Sequence, residues 1–116
     1  MTDALQDFLE GKSDPAGFTH AEHVAMAKRL LAGHDFLEAA LLYDRALAKI
    51  TRRAGVPEKR SLTKTLAFLS LIAETGEAPP THALSAWYSA QRLADPRGRD
   101  SFLMPDRIAR PPSCST

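Results

Sequence analysis

Within its 116 residues the chain has one cysteine, Cys114. With no partner for an internal disulfide, it must hold its fold by packing, and this cysteine usage fits a reducing compartment. It also lacks an excess of charge of either sign. Lys and Arg total 15 against 14 for Asp and Glu, a net charge of +1, so no broad field exists for gripping a polyanion, and no nucleic-acid partner is expected. Long apolar runs are missing as well. No stretch approaches the roughly 20 residues a membrane helix needs, and no membrane partner is expected. The opening MTDALQDFLEGKSD carries acids early and reads as neither a signal peptide nor a transit sequence. A soluble, cytoplasmic protein is the expectation.

Strand patterning is the last absence. Nowhere does a Val/Ile/Thr-rich run alternate with period two between turn signals. Apolar residues instead recur at helical spacing almost throughout, which predicts an all-α fold. The reading is a compact antiparallel bundle of four main helices with a short N-terminal helix and an irregular C-terminal tail. It is a single helical domain over 1–106, with 107–116 a flexible tail.

A short first helix is expected over residues 3 to 10, capped by Thr2 and stopped by Gly11. The second follows KSDPAGF. Thr19 and Glu22 fit the S/T-x-x-E capping box, which makes His20 the first helical residue and carries the helix to about Ala32. The third starts at Asp35 and ends before Gly55. The fourth runs from Pro57 or Ser61 to Thr75, with Gly76 and Pro79-Pro80 beyond it. A fifth is expected from a Thr81 cap to Asp95-Pro96, burying Trp87 and Tyr88.

The stretch GFTHAEHV places His20 and His23 three apart at a helix start. At roughly 100° per residue, His20, His23, Val24, Ala27, Leu30 and Leu31 share one arc, opposite Glu22, Ala25 and Arg29. Both imidazoles are therefore aimed inward. Three readings stay open. The pair could supply two ligands of a divalent metal, which would need further donors from other helices. It could serve an anionic or carbonyl-bearing small molecule resting on the positive helix end. Or His20 completes the cap while His23 packs beside Phe18 as a hydrophobic staple.

Two likenesses bear on this. HVAMAKRLLAGHDFLEAALLYDRALAKI resembles one tetratricopeptide unit, with Ala39, Tyr43 and Ala46 at its small and aromatic positions, but the pattern does not repeat. Over nearly the whole chain, the order FTHAEHV, GVPEKRSLTKTLAFLSLIAE, WYSAQRL, SFLMPD resembles a family of small, uncharacterised bacterial all-helical proteins. In that family an F-x-H-x-x-H-V/L segment opens one helix, K-Y-H-x-T-x-T a later one, and a Y-S segment precedes an aromatic-x-x-P-D close. Phe18, His20, His23, Val24, Lys59, Thr63, Thr65, Tyr88, Ser89, Phe102, Pro105 and Asp106 match. Ser61 stands where the resemblance implies a third histidine, and Arg60 replaces the preceding tyrosine. Since serine is a poor metal ligand but a competent hydrogen-bond donor, the departure favours a polar pocket over a metal centre. Ser61 and Thr65, one turn apart, are expected to face His20 and His23 across it, with Arg97, Arg99 and Asp106 either closing it or forming exposed pairs.

The function expected is a helical protein with a His-containing pocket for a small molecule or a divalent metal, at His20, His23, Ser61 and Thr65. The alternative is a non-catalytic protein–protein interaction module, homodimeric through the broad apolar surface of the third helix, where Leu37, Leu41 and Leu42 widen the stripe. No nucleophile–base–orienter set or phosphate-cradling loop is visible, so enzymatic activity is left open.

Overall fold

The computed structural model describes residues 3–14, 19–80 and 82–107. Phe18, Thr81 and the end of the tail, 108–116, lie outside the described residues. The fold is all-α. Its elements are α1 (Ala4–Leu9), α2 (His20–Gly33), α3 (Phe36–Arg53), α4 (Leu62–Thr75) and α5 (Ala90–Leu93), with short 3-10 turns at Pro57–Lys59, Ala83–Ala86 and Pro96–Arg99. No helix among the described residues is long and apolar enough to cross a membrane.

Three of the caps are those the sequence marks. The Thr19, Asp35 and Ser61 side chains accept from the backbone N–H groups of Glu22, Glu38 and Lys64, at 3.3, 2.8 and 3.2 Å. Each satisfies a donor that the first helical turn leaves free. α4 closes at Gly76, whose φ of 71° suits the left-handed cap and lets its N–H reach the Ile72 carbonyl. α1 differs from expectation in its cap. Asp3 rather than Thr2 precedes it, accepting from Leu5 N–H while Arg29 of α2 grips both of its carboxylate oxygens.

α3 is the central element. Ala39, Ala40, Tyr43, Ala46 and Ile50 of α3 are buried with Val24, Met26, Ala27 and Leu30 of α2 and Leu69 and Ile72 of α4. Small alanines along α3 admit its neighbours closely, and Phe8 of α1 seals one side with its ring 5.1 Å from that of Tyr43. The free carbonyls at the end of α1 are taken by α3 cations: Lys49 Nζ donates to Leu9 O, and Arg53 donates to Gly11 O. Arg60, just before α4, forks onto both oxygens of the buried Asp44 of α3, at 3.0 and 2.8 Å, and also reaches Asp100. On α4, Thr63, Thr65, Leu69 and Ile72 are buried, whereas Ala73 is exposed.

The expected fifth helix is broken. A 3-10 turn covers Ala83–Ala86, and α5 restarts at Ala90. The break falls at Ser89, which adopts an extended backbone, caps Arg92 N–H, and gives its own N–H and Oγ to the Asp106 carboxylate, 17 positions on. These bonds compete with helix continuation and win. Tyr88 is buried, its hydroxyl donating to Leu103 O. Trp87, expected in the core, is 41 % exposed because the break turns it outward. The segment after Arg99 runs back over α4, where the buried Thr63 hydroxyl donates to Ser101 O and accepts from Leu103 N. Side-chain hydrogen bonds to its backbone hold it, and the Phe102 and Met104 side chains are exposed.

Candidate functional site

One cavity of about 280 Å³ opens where the start of α2, the middle of α3, the first half of α4 and the Pro80–Leu84 stretch meet. At roughly 30 Å³ per water it has room for about nine water molecules. His20, His23, Ser61 and Thr65 all line it. Four residues chosen from spacing and motif order, on two helices about 40 positions apart, are thus brought to one wall-to-wall space.

The histidines are held differently. His20 Nε2 lies 2.6 Å from the Pro79 carbonyl oxygen. A carbonyl only accepts, so that nitrogen carries the proton and, in the uncharged ring, Nδ1 is left as an acceptor. The His20 ring meets Phe68 edge-on at 5.8 Å. His23 Nδ1 is 2.9 Å from the Tyr43 hydroxyl. Burial, more than the neighbouring His20, pulls the His23 imidazole below the ordinary histidine range, so the ring is uncharged at neutral pH. Burial likewise pushes the Tyr43 phenol up. His23 and Tyr43 therefore form a neutral pair at the cavity wall.

Across from them stand Ser61 and Thr65. The Ser61 hydroxyl is engaged as the α4 cap and with Gly98 O at 3.3 Å. Thr65 is only 4 % exposed, and among the described residues no protein group bonds its hydroxyl. Since no buried side-chain oxygen of the described residues is both sealed and unpartnered, the Thr65 hydroxyl has its outlet in the cavity it lines. The rest of the lining is Tyr43, Leu47, Phe68, Leu71, Pro80, Ala83 and Leu84, with Lys59 and Lys64 as its only charged groups among the described residues.

Metal coordination finds little here. Among the described residues no three His, Cys, Asp or Glu side chains are grouped to hold an ion. His20 Nε2 and His23 Nδ1 are each committed to a protein oxygen, and Ser61, which lines the same space, is a poor metal ligand. Of the tail groups, Arg97 pairs with Asp95 at the surface, Asp106 serves Ser89, and Arg99 borders a neighbouring groove with Lys59, Ser61 and Lys64. None of the three lines the cavity among its described residues.

The motif residues read in the sequence thus divide by role. His20, His23, Lys59 and Thr65 line the cavity, while Thr63, Tyr88, Ser89 and Asp106 fasten the C-terminal segment. Sequence reasoning missed Tyr43 as a partner of His23, Phe68 as a wall for His20, Lys64, and Pro79, read only as a helix breaker. The signal for Phe68 was present, since it falls on the same α4 row as Ser61 and Thr65. No protein-family model matches the chain, and the searches of curated proteins and of solved structures likewise give no match.

Proposed function

We propose that the protein binds a small molecule in the cavity between α2 and α4, with His20, His23, Ser61 and Thr65 as its polar groups. The observation that carries this is the Thr65 hydroxyl: a nearly buried polar atom without a partner among the described residues, opening into a space walled largely by carbon. Sites for small ligands have that makeup, apolar walls with a few fixed polar groups. At about 280 Å³ the space suits a compact ligand at the small end of the usual range of about 300 to 1,000 Å³. Likeness to the bacterial helical family in motif order supports the same reading, because the matched His20, His23, Lys59 and Thr65 are cavity residues. A cytoplasmic location fits the single cysteine.

The test compares wild type with Ala83→Trp, which fills the cavity from its edge, and with the double change His20→Ala, His23→Ala. Small-molecule fragments that raise the wild-type melting temperature are expected to lose that effect in both variants. Equal responses from all three folded proteins overturn the reading.

A second reading, a homodimerising interaction module, has one observation in its favour. Leu37 and Leu41, one turn apart on α3, are 77 % and 48 % exposed. Light scattering at high concentration decides it: a dimer that Leu37→Glu dissociates supports it, and a monomer removes it.

A further inference from the structure

Resting on the cavity-binding reading, we propose that the occupant is a small apolar carboxylate, its charged end at the start of α4 and its carbon body reaching along that helix. The cavity is graded in polarity. Along α4 the lining runs Ser61, Lys64, Thr65, then Phe68, then Leu71, a span of roughly 15 Å at 1.5 Å per residue. The polar end adjoins the groove that shares Lys59, Ser61 and Lys64, and the opposite end adjoins a depression that shares Leu71, Pro80 and Ala83.

Three features give the polar end its sign. Lys59 and Lys64 border it, and neither forms an ion pair with a described residue. No carboxylate is among the described lining, and none of the residues outside the description is Asp or Glu. The start of α4, a helix of 14 residues, lies at this end and turns its positive terminus toward it. Glu58 and Asp95 belong to the adjoining groove, and Asp95 is held by Arg97. The Thr65 hydroxyl, without a partner among the described residues, supplies a donor beside the lysines. An amine-bearing ligand would meet two like charges instead, and an uncharged one would leave both lysines unanswered.

Calorimetry with 4-phenylbutyrate, 4-phenylbutan-1-ol and 4-phenylbutylamine isolates the charge on one carbon frame. The carboxylate is expected to bind about tenfold more tightly than the alcohol and the amine more weakly still, with the advantage shrinking as salt rises. The double change Lys59→Gln, Lys64→Gln, at two exposed positions, is expected to cost the carboxylate about tenfold while leaving the alcohol nearly unchanged. An alcohol that binds as well as the carboxylate, or an amine that binds better, overturns the anion assignment while leaving the cavity reading intact. Absence of binding by all three overturns the assignment too, and the fragment comparison with Ala83→Trp then decides the cavity reading separately.

Discussion

His23 Nδ1 and the Tyr43 hydroxyl meet at 2.9 Å, and that contact joins α2 to α3 at the back wall of the cavity. Removing the hydroxyl with Tyr43→Phe keeps the ring against Phe8 but leaves the imidazole nitrogen without this partner. A loss of about 1 kcal/mol is expected, the usual net worth of such a bond, read as a lower urea midpoint at unchanged slope. An unchanged midpoint would show that the bond contributes nothing.

The uncharged state of His23 has a pH signature. Its folded pKa lies below the ordinary value because burial, then His20, disfavour the charged ring. Between that lowered value and about 6.5, the unfolded chain binds more protons than the folded one, so stability rises with pH there. The contribution is complete above about pH 6.5 and is lost as pH falls toward the folded value. In urea titrations across this range, wild-type stability should rise with pH more steeply than that of His23→Gln; parallel curves would contradict the assignment.

Arg60 and Asp44 form the most enclosed ion pair among the described residues, with side chains 21 % and 12 % exposed. Arg60→Ala abandons a buried carboxylate and should cost about 2 to 3 kcal/mol. Arg60→Ala combined with Asp44→Ala should cost less than the sum of the two single changes, since no charge is then left unpaired. Additive losses in chemical denaturation would show the pair to be uncoupled.

Gly11 and Gly76 both sit at positive φ, 74° and 71°, yet their surroundings differ. A Cβ on Gly11 would lie 2.5 Å from Lys49 Cβ, whereas one on Gly76 meets nothing within 4 Å. Gly76→Ala should cost about 1 kcal/mol for the left-handed backbone alone, and Gly11→Ala about 3 kcal/mol, because α1 must also move off α3. Equal midpoint shifts would refute the close approach.

Much of this was legible in the chain because caps and helical periodicity are local signals. Thr19, Asp35, Ser61 and Gly76 mark helix ends through atoms within four residues, and the Thr19 cap sets the rotation that turns His20 and His23 inward. What was not legible depends on distant partners. Nothing near Tyr88 announces that Asp106 will capture Ser89 and break a helix, and helical spacing carried through that point places Trp87 in the core. Tyr43 has the spacing of a packing residue, and only the meeting of two helices makes it a partner for His23. Arg60 has its role through Asp44, 16 positions away.

The central claim is that the inward histidine face borders a space a guest can enter, and resonance-by-resonance mapping of bound fragments by protein NMR tests it most directly. Binders are expected to perturb His20, His23, Tyr43, Thr65 and Phe68 together and to displace one another. Fragments that bind only around Leu37 and Leu41, or leave the Thr65 and His23 signals unmoved at saturation, would contradict it.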